Sequence, residues 1–192
     1  MLDPSYALYR TGSAISRLLP PPVVAPFTDQ VGWLAARGLG AKRDMVARHQ
    51  KRVRPELSGR RLDAAVDEVF RSYTKYWVES FRLPGTSAAV LDAGIEAEGF
   101  DAMQAAFDEG NGVIAAMPHL GAWEWAAFWL TAVRNIPVTT VVEPVEPPEL
   151  ADWFVGLRED LGMEIVPLGP DSGPKVARAL RDGRLLSLLC DR

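Results

Sequence analysis

The chain is 192 residues long with 48% apolar and 24% charged residues, enough to bury one sizeable core and too apolar for disorder. Its single cysteine, Cys190, excludes an internal disulfide, no Cys/His spacing suggests zinc, and no apolar run approaches the roughly 18 residues of a membrane span. The net charge of −4 is unevenly divided, because residues 1–61 hold 11 Lys/Arg against 4 Asp/Glu and residues 62–192 hold 10 against 21.

The opening residues, with Asp3 and Pro4 ahead of any basic residue, lack the form of a secretory signal, so a cytoplasmic location is expected. Tyr6, Leu8, Tyr9, Ile15, Leu18 and Leu19, followed by Pro20-Pro21-Pro22, Val23 and Val24, make a short aromatic and apolar segment. Beside it stands a basic run of Lys42, Arg43, Arg48, Lys51, Arg52 and Arg54, opposed only by Asp44. Apolar anchors next to basic charge suit the surface of an anionic bilayer. The plainer readings are a helix packed on the main domain and a solvated basic face, with His49 a surface residue. Nucleic-acid binding by the same run is opposed by the acidic remainder.

Over residues 61–82 the spacing of Leu62, Val66, Val69, Phe70, Tyr73, Trp77 and Phe81 predicts a helix with a buried stripe. Pro84 and Gly85 break the rhythm, and residues 99–109 read as a helix stopped by Gly110-Asn111-Gly112. Strands are expected at 113–117, 138–142, 165–168 and 185–190, with helices at 122–134, 149–161 and 176–181 between them. This alternation predicts an α/β fold, a largely parallel central sheet flanked by helices, after an N-terminal helical and membrane-associating region. The expected division is residues 1–85 and 86–192. A chain that stops straight after its fourth strand is expected to be a piece of a longer protein.

Sites in parallel sheets form at the carboxyl ends of the strands. His119 stands two residues after the strand ending at Met117, where an imidazole with an ordinary pKa near 6.5 can take a proton at neutral pH. Glu124 follows five residues later, in the first turn of the next helix, and Gly121 supplies the bend that lets its carboxylate reach and orient the imidazole. Physically, a His and a Glu at this spacing are more often structural than catalytic. Glu143, at the end of the second strand, faces the same edge of the sheet. Trp125 and Trp129 read as core on one helix face. The loop from Gly169 to Lys175 suits either an anion or a plain helix cap.

The block His119-Leu120-Gly121-Ala122-Trp123-Glu124 resembles the His-x4-Asp/Glu block of the glycerolipid and lipid A type acyltransferases, and its Gly-x-Trp-Glu part resembles the lipid A lauroyl transferase branch. The resemblance runs on through Trp153, Arg158, Gly162 and Val166-Pro167-Leu168 to Cys190-Asp191-Arg192. Within the branch, the segment from Tyr6 to Arg17, the three prolines and the wording Pro-His-Leu-Gly-Ala-Trp-Glu look most like the actinobacterial phosphatidylinositol mannoside acyltransferases.

The resemblance implies transfer of a fatty acyl group from acyl-CoA to a mannose hydroxyl of a membrane glycolipid. His119 would be the general base and Glu124 its support. Arg158, Glu143, Asp191 and Arg192 would bind substrate. It implies acyl-CoA as co-substrate with no cofactor and no metal, an anionic phospholipid surface as partner with no nucleic acid, and a peripheral place on the cytoplasmic face of the plasma membrane. The alternatives are a lipid A precursor as acceptor, with the same chemistry, or a non-catalytic lipid-binding module in which His119 is structural.

Overall fold

The computed structural model describes residues 3–191. Arg192, expected to bind substrate, lies outside the described residues. Helices α1 (Pro4–Leu18), α2 (Pro21–Gly38), α3 (Gly40–Val53) and α4 (Gly59–Arg82) come first, then a single 3-10 turn at Leu83–Gly85 and two short helices, α5 (Ala88–Ala93) and α6 (Phe100–Asp108). The rest alternates: β1 (Val113–Met117), α7 (Trp123–Ala132), β2 (Val138–Val142), α8 (Pro148–Glu159), β3 (Met163–Pro167), α9 (Ser172–Arg181) and β4 (Leu185–Leu189). The chain divides into two compact units. One is Thr11–Arg82, and the other joins residues 3–10 to the chain from Leu83 onward.

The prolines that punctuate residues 20–22 open α2 instead of preventing it, since Pro21 occupies the first turn, where a missing N–H has no intrahelical partner to lose. In the helical unit α4 turns Val66, Phe70, Val78 and Phe81 inward, and Ala36 of α2 closes against Val66 and Phe70. Gly32 permits the approach of α2 to α4, because a Cβ there would stand 2.7 Å from the Arg71 Cα. Tyr73, expected in the core, is exposed, its ring stacked on Tyr76 and edge-on to Trp77.

Not all of the basic run is a free surface. Arg43 bonds to Asp67 and to Asp63, and Asp67 also faces Arg37 at 3.6 Å. The Arg43 guanidinium, first among several causes, holds the Asp67 carboxyl below its ordinary value. Lys42, Arg48, His49, Lys51, Arg52 and Arg54 are exposed.

In the second unit the sheet order is β1-β4-β2-β3 and every pairing is parallel. Connections from β1 to β2 and from β2 to β3 step in one direction, and the return from β3 to β4 steps back. Right-handed crossovers therefore put α7 and α8 over one face and α9 over the other. Val138, Thr139, Thr140, Leu185, Leu186 and Ser187 are buried in the middle of the sheet. The α/β expectation for this part matches the structure, with several shifts of boundary, two of which have a local cause. β3 starts at Met163, buried, followed by the exposed Glu164. Helix α9 starts at Ser172 because Pro174 lies within its first turn, where proline is tolerated, and the Ser172 hydroxyl donates to the Gly169 carbonyl. Residues 3–10 join this unit through Tyr9, whose ring meets Phe154 of α8 edge-on at 5.3 Å.

Candidate active site

Strands β1 and β4 pair from Val113–Leu185 to Met117–Leu189, and the ladder continues one step when the Cys190 N–H donates to the Met117 carbonyl at 2.9 Å. Beyond Met117 the chain turns at Pro118, where the Leu120 N–H bonds back to the Pro118 carbonyl at 2.8 Å. Two neighbouring parallel strands thus deliver His119 and Asp191 to the same carboxyl edge of the sheet.

The contact between them is double. One Asp191 oxygen accepts the backbone N–H of His119 at 2.8 Å, and the other lies 2.5 Å from the ring Nδ1. An ionised carboxylate only accepts, so it selects the tautomer with hydrogen on Nδ1 and leaves Nε2 as a lone-pair acceptor. The side chains are 38% and 40% exposed, so a substrate can reach them. The His119 ring hydrogen bond, reinforced by the backbone N–H, holds the Asp191 carboxyl below its ordinary value against a smaller opposing effect of burial. Asp191 therefore stays anionic wherever His119 can act as a base.

Gly121, at φ +63°, makes the bend expected of it and lets α7 begin at Trp123. The bend carries Glu124 inward. Its side chain is 4% exposed and accepts a hydrogen bond at 3.0 Å from Arg158 of α8, itself 15% exposed. The Arg158 guanidinium also lies over the rings of Trp123, at 5.2 Å, and Phe154, at 5.7 Å. The carboxylate on the imidazole Nδ1 is thus Asp191, where the sequence reading put Glu124, and Glu124 joins α7 to α8 through Arg158. The reason is directional: a first-turn residue on α7 faces the neighbouring helix, whereas the end of β4 lies alongside the end of β1. Arg158, read as a substrate contact, has its guanidinium engaged by Glu124 and two aromatic faces. Glu143 is exposed just past the carboxyl end of β2.

Beneath this edge, on the α7 face of the sheet, lies a cavity of about 300 Å³. It exists because small side chains face each other: Ala115 of β1 and Ser187 of β4, register partners, lie opposite Ala126 and Ala127 of α7. Met117 and Trp123 line its end nearest His119. Trp129 forms one wall and is pinned by its indole N–H on Asp92 at 2.9 Å and by Phe100 edge-on at 5.2 Å. The expectation of a buried Trp129 agrees with this position. The sequence reading missed the cavity; its trace there is the small residues midway along two strands, Ala115 and Ala116 in β1 and Ser187 in β4.

Among the described residues no group of three or more His, Cys, Asp or Glu is placed to hold a metal ion. Among the same residues no helix is long and apolar enough to cross a membrane.

The whole chain, residues 1–192, matches the sequence profile of the bacterial lipid A biosynthesis acyltransferases. The chain belongs to this family. A phosphatidylinositol mannoside acyltransferase of Mycolicibacterium smegmatis is 38% identical over 125 residues, covering 63% of this chain and 40% of that relative. One from Mycobacterium tuberculosis is 38% identical over 128 residues, with the same 63% and 40% coverage. The match thus spans well under half the length of these curated relatives. The family resemblance read from residues 119–124 agrees with both comparisons.

Proposed function

We propose that this protein is an acyltransferase that moves a fatty acyl group from acyl-CoA to a mannose hydroxyl of phosphatidylinositol mannoside. The observation that carries the proposal is the His119–Asp191 pair, with its second ring nitrogen directed away from the carboxylate at the open edge of a parallel sheet. His119 Nε2 removes the hydroxyl proton as the oxygen attacks the thioester carbon. A tetrahedral oxyanion forms, the C–S bond breaks, and the imidazolium returns its proton to the departing CoA thiolate. No covalent acyl-enzyme is needed. Asp191 stabilises the imidazolium by its charge and fixes the ring by two hydrogen bonds.

The His119 backbone N–H is already engaged by Asp191 and that of Trp125 by the Ala122 carbonyl, so the oxyanion is assigned to the Trp123 and Glu124 N–H groups that open α7, a helix without a side-chain cap. The apolar cavity below Met117 suits the acyl chain, and Glu143 suits hydroxyls of the acceptor sugar. Glu124 and Arg158 are positioning residues that hold α7 and α8 together behind His119. The names of the curated relatives favour a mannoside acceptor over a lipid A precursor.

The helical unit supports a peripheral place on the cytoplasmic face of the plasma membrane. Ile15, Leu18, Val23, Val31, Trp33 and Leu34 are exposed there, in the same unit as the exposed cations of α3. The test is transfer of labelled palmitate from palmitoyl-CoA to phosphatidylinositol mannoside by wild type and His119→Ala, with flotation on phosphatidylinositol vesicles in parallel. Loss of product with unchanged flotation supports the reading. Equal product from both variants removes His119 as the base.

A further inference from the structure

Arg158 grips the opening turn of α7 at two neighbouring residues. Its Nη2 donates to the Glu124 carboxylate at 3.0 Å, and its guanidinium lies 5.2 Å over the Trp123 ring. These are the two residues whose N–H groups are assigned the oxyanion. A guanidinium and a carboxylate joined by two parallel hydrogen bonds fix each other's plane. Arg158 gives Glu124 only one, and its Nε is buried without a hydrogen-bond partner among the described residues. The plane of the guanidinium is therefore set by the surfaces it lies against.

Phe154 supplies the second of those surfaces. It precedes Arg158 by one turn on the same face of α8, with its ring 5.7 Å from the guanidinium. Phe154 is buried, and its ring is met by Trp153 at 5.1 Å and by Tyr9 edge-on at 5.3 Å. Trp153 belongs to α8 and moves with it, whereas Tyr9 belongs to α1 and braces the ring from a different element. The start of α1 is fixed locally: Pro4 occupies the first turn, and the Asp3 carboxylate accepts the Ser5 N–H at 2.8 Å. A helix begun there presents Tyr9 about one and a half turns later, half-buried and in the same compact unit as α7 and α8.

From this run of contacts we infer that Tyr9 is a positioning residue for acyl transfer. Its ring braces Phe154, Phe154 and Arg158 hold Trp123 and Glu124, and the oxyanion N–H groups are thereby kept in place before substrate arrives. This rests on the acyl-transfer reading above but concerns a residue of α1 that acts on α7 only through α8. The loss of one edge-on ring contact changes an equilibrium by about three- to tenfold. Preorganised donors act on the transition state, so that loss falls on kcat and leaves KM in place. Tyr9→Ala therefore lowers kcat by about three- to tenfold with KM for both substrates unchanged, and Tyr9→Phe, which keeps the ring, restores kcat.

The experiment compares wild type, Tyr9→Ala, Tyr9→Phe and Phe154→Leu in steady-state transfer from palmitoyl-CoA to phosphatidylinositol mannoside, with thermal melting of each protein. Phe154→Leu keeps apolar bulk and removes the ring, so it tests the same link if Tyr9→Ala does not fold. In parallel, amide hydrogen exchange at Ala126, Ala127 and Phe128 reports the first hydrogen-bonded turn of α7 without need of turnover, and the amides of β2 serve as the internal control. Lower kcat at constant KM, faster exchange in that turn but not in β2, and recovery of both in Tyr9→Phe support the inference. A double variant of Tyr9→Ala and Phe154→Leu that loses no more than either alone supports it further. Exchange in α7 that is unchanged, or that quickens equally in β2, overturns the inference whatever happens to kcat. A raised KM at constant kcat, or a Tyr9→Phe as impaired as Tyr9→Ala, also overturns it. Faster exchange in α7 with no transfer by any protein, wild type included, leaves Tyr9 as the brace of that turn and overturns the acyl-transfer reading instead.

Discussion

The two ends of the parallel sheet carry similar charged clusters and use them in opposite ways. At the amino end, Arg184 donates to the Thr139 hydroxyl at 2.6 Å and to the Val138 carbonyl at 3.0 Å, and faces Glu164 at 3.1 Å. Thr139 in turn donates to Glu164 at 2.8 Å, which closes the network on itself. At the carboxyl end, Asp191 uses both oxygens on His119, yet the ring keeps Nε2 facing away from its partner. A closed network fastens strands, whereas one with a basic atom left over can do chemistry. The difference follows from backbone direction in parallel strands: loops at the carboxyl edge project side chains over the strand ends, and the amino edge begins with residues already fixed in the ladder.

The largest expected effects test the open end. His119→Ala removes the proposed base and should lower acyl transfer by about 10²- to 10⁴-fold with the melting temperature little changed, since the residue is half-exposed. Asp191→Asn keeps the shape but can present a donor to Nδ1, which disfavours the productive tautomer. A loss of about 10²-fold in kcat is expected, with a smaller change in KM and a shifted acid limb of the pH–rate profile. A purely structural Asp191 would leave that limb in place.

The same pair has a pH signature in the resting protein. A carboxyl lowered by its partner contributes fully above the ordinary aspartate value of 3.8, and the contribution fades as pH falls through the lowered value. Carboxyl-carbon NMR should therefore give an Asp191 midpoint below 3.8 in wild type and a return toward it in His119→Ala. An unperturbed midpoint in wild type would dissolve the pair in solution.

Much of this edge was legible before the structure, and the part that was not has a physical reason. Alternation of short apolar runs and helical spacing located the four strands of the described residues, most cleanly β4, whose first three residues are buried, while the outer strands β1 and β3 expose Ile114 and Glu164. His119 could be found from its place just beyond such a run. Its partner could not, because proximity along the chain favoured Glu124, whereas pairing of β1 with β4 is a long-range event that sets Asp191 beside it. The cavity was hidden for the same reason: Ala115 and Ser187 are unremarkable until register makes them neighbours. In the helical unit the stripe on α4 gave Val66, Phe70 and Phe81 correctly but not the exposed Tyr73, since periodicity identifies a face without telling how far along it a neighbour packs.

Between the two ends lies the buried Glu124–Arg158 pair, and breaking it separates support from chemistry. Glu124→Ala leaves a guanidinium in a mostly buried site with its carboxylate gone, which should cost about 3–5 kcal/mol of stability by urea titration. Replacing Glu124 with Gln keeps one acceptor for Arg158 and should recover part of that loss. If these residues act only by holding α7 to α8, the acid limb of the pH–rate profile stays with Asp191 in both variants, and activity follows the folded fraction. A limb that moves in Glu124→Gln while the protein remains folded would assign Glu124 a direct electrostatic role at His119.

The smallest effect belongs to the closed end and gives the comparison its control. Arg184→Ala removes hydrogen bonds to Thr139 and Val138, but the side chain is 25% exposed and its partner Glu164 is 53% exposed, so water compensates much of the change. A loss of about 1 kcal/mol is expected, with acyl transfer per folded molecule unaltered.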